Sequence, residues 1–197
     1  MDLSRETFWA VDVEGNGATP PEIVEIAIVE VRDLMLEQRR LEWLVKPQGQ
    51  ISPRVTRIHG ITDEDVARSP DIEEIADDIM TWTSEGKILG HNVKVEVDAI
   101  TRAIPEWRPT VAIDTLKLAR IALPGRSSYS LENLGSDLGL SEIAARESGK
   151  RHHSALFDSI LTGLLFIRLV SELPEGRRQS VLANCDILNS NQGELRL

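Results

Sequence analysis

Apolar and acidic residues alternate along Val11-Asp12-Val13-Glu14. In an extended segment the two-residue period places both carboxylates on one face and both valines on the other. Gly15-Asn16-Gly17 follows at once, and glycines at a strand end let a ligand come close to the backbone. Alone, the pair reads equally well as two solvated acids on an edge strand. A second segment, Gly90-His91-Asn92, closes a short apolar run and opens a helical stretch that carries Glu96 and Asp98. On that helix Val93, Val97, Ile100 and Ile104 form one apolar stripe, Glu96 lies at its border and Asp98 points nearly opposite. Only Glu96 can look toward a buried sheet end. The third segment runs from Arg151 through His152, His153 and Ser154 to Asp158. It sets two histidines before a helix and a carboxylate in its first turns, where the helix N-terminus stabilises an anion. All four histidines of the chain, His59, His91, His152 and His153, fall in segments singled out on other grounds.

Carboxylates are the hard ligands that Mg²⁺ and Mn²⁺ prefer. Two such ions, about 3.5–4 Å apart, activate a water and stabilise a leaving oxygen. A histidine near neutral pKa could take the proton of that water. Three acidic segments and a histidine therefore suit two-metal hydrolysis.

Strands are expected at 8–13, 23–31 and 41–45, followed by a helix over 71–83, a short strand at 87–89 and a helix over 93–104 that ends at Pro105. A strand at 111–113, short helices at 115–123 and 131–138, and a long helix from about 154 to 173 complete the pattern, with Ser154 able to cap the last. A weak helix over 176–188 and a polar, disordered tail from Asn189 are expected after Pro174. Strands first, then helices with isolated strands between them, indicate an α/β domain with a mixed sheet covered by helices. Residues 5–173 read as one domain and 174–197 as a C-terminal helix and tail.

The 197 residues, 41% of them hydrophobic, suffice for one ordinary domain. Thirty-two acidic against 22 basic residues give a formal charge of −10. The basic footprint of a passive nucleic-acid binder is missing, although bound cations would supply positive charge where a phosphate must sit. The single cysteine, Cys185, excludes an internal disulfide and a multi-cysteine zinc site, and fits a reducing cytoplasm. No signal peptide or membrane span is read from the chain.

In their order along the chain, these segments resemble the DEDDh family of 3′-to-5′ exonucleases, the group that contains polymerase proofreading subunits and ribonuclease T. The family's first motif, D-x-E, is matched by Asp12 and Glu14. Its second, usually H-N-x-x-F-D, is similar to His91-Asn92-Val93-Lys94-Val95-Glu96. Its third, H-x-A-x-x-D, is matched by His153, Ala155 and Asp158. Arg57-Ile58-His59-Gly60-Ile61-Thr62 is similar to the nucleotide-side loop, and Asp114-Thr115-Leu116 and Tyr129-Ser130-Leu131 are similar to two further landmarks. The resemblance spans Phe8 to about Val170.

It implies an α/β, RNase H-like mixed sheet flanked by helices, and release of nucleoside 5′-monophosphates from single-stranded DNA or RNA 3′ ends. Asp12, Glu14, Glu96 and Asp158 would hold two divalent ions, Mg²⁺ or Mn²⁺, and His153 would be the general base, leaving His152 a bystander. Val13, Gly15, His59, Gly60, Ile61 and Asn92 would lie at the substrate, with His91 and Asn92 also ordering the strand-to-helix turn. A DNA polymerase partner and a homodimer are compatible with the resemblance, and no membrane partner is expected. Two departures stand out. Glu96 is one methylene longer than the usual Asp, and Gly15 replaces the Thr that often follows the first motif. They leave a second reading open: an accessory or binding module of the same fold with weakened catalysis.

Overall fold

The computed structural model of the protein describes residues 6–189. The first five residues and the polar tail beyond Asn189 lie outside them. In chain order the elements are β1 (Thr7–Gly15), β2 (Ile23–Arg32), β3 (Met35–Leu44), α1 (Pro53–His59), α2 (Asp63–Val66), α3 (Ile72–Thr83), β4 (Lys87–Gly90), α4 (Lys94–Ala103), β5 (Val111–Asp114), α5 (Thr115–Ala122), α6 (Leu131–Asp137), α7 (Ser141–Ser148), α8 (Ala155–Glu172) and α9 (Glu175–Cys185). The sheet has the order β3-β2-β1-β4-β5. β1, β2 and β3 pair antiparallel, whereas β4 and β5 run parallel to β1. This is the mixed sheet expected from the sequence, in an RNase H-like arrangement.

β2 is buried at nine of its ten positions, as a strand covered on both faces must be. The strand period then sorts β1. Phe8 and Ala10 join α5, α6, α7, α8 and α9 in one core, whereas Trp9 and Val11 join α3 and α4 in the other. Asp12 and Glu14 continue the register of Phe8 and Ala10, so both carboxylates emerge on the α8 side of the sheet. α8 is the central helix, with twelve of its eighteen residues buried. It packs tightly on the sheet because residue 163 is glycine; a Cβ there would stand 3.0 Å from Val31 Cγ2.

Three helices, α1, α2 and α7, were not expected, and β3 begins at Met35 rather than Leu41. α1 has no buried residue and α2 only Val66, so neither shows an apolar stripe. The helix over 176–188 stops at Cys185. Asp186 then bridges to Ile113, and the Ile187 N–H donates to the Ala112 carbonyl at 2.9 Å. Ser154 occupies the N-cap position of α8, but its side chain makes no capping bond.

Candidate active site

β1 ends in a register shift between Glu14 and Gly15, and its last turn outward carries the two acids to the sheet end. Asp158, in the first turn of α8, meets them there. Carboxylate oxygens of Asp12, Glu14 and Asp158 lie within 4.8 Å of one another. Glu96 approaches from α4 and stands outside that group of three. It is buried, and its Oε2 has no hydrogen-bond partner. Gly90, at the end of β4, makes its approach feasible. A Cβ at that position would stand 3.0 Å from Glu96 Oε2 and 2.7 Å from Val93 Cγ2. Asp98, as the helical stripe predicts, points away and pairs with Lys94 at 2.7 Å.

Burial dominates the electrostatics of the acids, and their mutual repulsion adds to it. Burial raises the Asp12 pKa well above the carboxylate range, with Asp158, Glu96 and Glu14 pushing it further. Glu14 is raised to about 8 by burial, then by Asp158 and Glu25. Glu96 also reaches about 8, through burial and the charges of Asp114 and Glu14, against a partial offset from its own backbone N–H.

Asp158 accepts the His153 N–H at 3.0 Å through Oδ2, while Oδ1 meets His152 Nδ1. The His152 pKa is raised, first by that hydrogen bond. His152 is therefore a direct neighbour of the acid. The cause is local backbone shape: His153 has φ of +66°, and this left-handed turn stacks the two rings with centroids 4.2 Å apart. The His153 ring is exposed and faces a cleft of about 430 Å³ that His59, Gly60 and Ile61 also line.

His59 holds its own turn together. Its Nδ1 accepts the Ile61 N–H at 3.0 Å, which leaves Nε2 to donate to the Gly15 carbonyl at 3.3 Å. The side chain thus ties the end of α1 to the irregular end of β1. Gly60 has φ of +87° and forms the C-cap of α1. Val13 packs half-buried with the α3–α4 core, on the sheet face away from the acids. Both ring nitrogens of His91 are occupied within the fold, by Thr115 Oγ1 at 3.0 Å and the Tyr129 carbonyl at 2.8 Å. Asn92, with φ of +72°, donates its N–H to Asp114 at 3.0 Å, and Asp114 also caps α5. The segments around Asp114 and Tyr129 are thereby the supports of the turn that aims Glu96.

A family model described as RNase T, exonuclease, matches residues 10–166. The chain belongs to the RNase T exonuclease family. It is an exonuclease, and so a hydrolase. DNA polymerase III subunit epsilon of Aquifex aeolicus is 28% identical over 178 residues, covering 87% of this chain and 84% of that protein. The PolC-type DNA polymerase III of Thermotoga petrophila is 34% identical over 176 residues, but the match covers only 12% of that much longer protein. Among solved structures, Exonuclease X in complex with 5′-overhanging duplex DNA superposes with a TM-score of 0.68 at 30% identity, over 89% of this chain and 99% of that one. The nuclease domain of a DEDDh 3′ exonuclease bound to rAMP gives 0.69 at 18% identity over 87% and 95%, which speaks to the fold alone. Among the described residues, no helix is long and apolar enough to cross a membrane.

The acids of this exonuclease fit divalent cations. Three carboxylates converge, and the partnerless buried oxygen of Glu96 adds a hard donor beside them. A pH dependence of stability follows. Glu14 and Glu96 have folded pKa values of about 8 against ordinary values of 4.5, so folding takes up protons between those limits and stability falls as pH rises through them. In EDTA the melting temperature should drop by roughly 5–10 °C between pH 5 and pH 9. Excess Mg²⁺ should recover most of that loss at the alkaline end. Thermal denaturation across the pH range checks both, and a flat profile in EDTA would contradict the repulsive acid cluster.

Proposed function

We propose that this exonuclease removes nucleotides one at a time from single-stranded 3′ ends, DNA before RNA, releasing nucleoside 5′-monophosphates. The observation that carries the reading is the convergence of Asp12, Glu14 and Asp158 beside buried Glu96, next to an exposed histidine and a cleft. Two divalent ions held by these acids would supply Lewis-acid stabilisation and a water of lowered pKa. Asp12 and Glu14 on the sheet and Asp158 on α8 would hold the ions, with Glu96 as a further donor. His153 takes the proton of the attacking water at an imidazole nitrogen, and its loop geometry is set by the bond from its own N–H to Asp158. His59, Gly60 and Ile61 form the wall against which the terminal nucleotide lies. The preference for DNA rests on the named relatives, the polymerase epsilon subunit and Exonuclease X with its DNA. A single-stranded end is favoured because a net charge of −10 gives little nonspecific attraction to the dense phosphate charge of a duplex.

Chromatography of the products from DNA and RNA strands of one sequence tests this reading. Nucleoside 5′-monophosphates, released faster from DNA, are expected. Nucleoside 3′-phosphates or internal fragments would overturn it. A polymerase partner is a second reading, favoured by the epsilon relatives, and co-purification with a polymerase subunit tests it.

The long acid at position 96 makes its own prediction. Glu96→Gln keeps the volume and removes the charge, and should lower the rate by about 10²-fold or more. Glu96→Asp keeps a carboxylate and should stay within about tenfold of the natural rate, with a changed ratio of Mn²⁺- to Mg²⁺-supported activity. Initial rates in each metal decide. Full activity in Glu96→Gln would remove Glu96 from the site, and a large gain in Glu96→Asp would mark the natural site as detuned.

A further inference from the structure

We infer that Glu25, on β2, is a positioning residue that fixes the His153 loop and the first turn of α8 against the strand carrying Glu14. The inference rests on the proposed role of His153. Glu25 is the direct cross-strand partner of Glu14 and is itself buried. Its Oε2 accepts the N–H of Ala155, the first residue of α8, at 2.7 Å. A helix start normally takes such a bond from its own N-cap, yet Ser154 leaves its hydroxyl buried and without a partner. A cap from Ser154 would satisfy the helix alone. One from Glu25 ties the helix start to the sheet, and so registers Asp158 and His153 against Glu14.

A buried carboxylate is costly without compensation. Lys150 stands 3.6 Å from Glu25 Oε1 and also pairs with Glu42 on β3. Arg40, also on β3, holds both the carbonyl and the carboxylate of Glu147 at the end of α7. The segment from Glu147 to Ala155 is thereby fastened to β2 and β3 at three places. Between the last two fastenings lies His153, in the left-handed region that few residues other than glycine adopt. The bond from Glu25 is the one nearest to it on the helix side.

The test is a double-mutant cycle with a structural readout. Glu25→Ala should lower kcat by about 10²-fold with KM changed less than about threefold, as a displaced reacting group does. In a His153→Ala background it should cause a clearly smaller further loss, the part carried by Asp158. Glu25→Gln, which keeps the accepting oxygen, should recover most of the lost kcat. Hydrogen exchange at Ala155 and its neighbours should rise in Glu25→Ala, while β1 amides keep their protection. Should Glu25→Ala fail to fold, Glu25→Asp, one methylene too short for the bond, should show the same kcat loss and exchange. Equal losses in both backgrounds, or a Glu25→Ala enzyme within twofold of wild type, would overturn the inference. If His153→Ala itself keeps full activity, the role of His153 has failed instead, and unchanged exchange at Ala155 would then refute the anchoring by Glu25 separately.

Discussion

Asp12→Asn should leave less than about one-thousandth of the exonuclease rate and, in EDTA at pH 8, should melt a few degrees higher than the natural protein. Both effects come from the same feature. Burial and the charges of Asp158, Glu96 and Glu14 raise the Asp12 pKa, so the ionised group is held where only a bound cation compensates it. The amide keeps the shape and removes one charge from the cluster, relieving the repulsion and discarding the metal ligand together. Activity assays paired with thermal denaturation measure the two changes. A fully active Asp12→Asn enzyme, or one that is less stable than wild type in EDTA, would contradict the placement of Asp12 at the centre of the site.

His153→Ala should reduce kcat by about 10²–10⁴-fold, the range lost with a general base, and should leave metal affinity close to natural because the acids remain. His152→Ala should cost less than about tenfold. Its ring contacts Asp158 and stacks on His153, so its removal loosens the loop without deleting the base. Rate measurements on the two variants with calorimetric Mg²⁺ titrations separate the roles. The reverse ranking would make His152 the base, a swap that the shared neighbourhood of Asp158 makes worth testing directly.

The acids of β1 were legible because a strand's two-residue period leaves one assignment of faces: Phe8 and Ala10 enter the α8-side core and carry Asp12 and Glu14 with them. The choice of Glu96 over Asp98 followed from the helical stripe and holds in the fold, with Glu96 buried and Asp98 paired on the surface. The helices α1, α2 and α7 were not legible. Their starts rest on a proline after Ser52, a Thr62–Asp65 capping box and, at α7, no side-chain cap at all, signals too local to outweigh a missing apolar stripe. The early half of β3 was hidden because its residues, Met35 to Arg40, are polar or partly exposed at an edge of the sheet. Glu25 was hidden for a different reason. An acid inside the apolar run IVEIAIVEV reads as a solvent-facing residue, and the N–H it accepts lies 130 positions away. The closeness of His152 to Asp158 was equally out of reach, since it depends on the left-handed backbone at His153.

The most direct measurement is a denaturing-gel time course on 5′-labelled single-stranded DNA with Mg²⁺, Mn²⁺ or EDTA, run beside Asp12→Asn. The account predicts a ladder that shortens stepwise from the 3′ end with either metal and is absent in EDTA and in the variant. Intact substrate in every metal-containing lane, or cleavage that persists in EDTA, would contradict it.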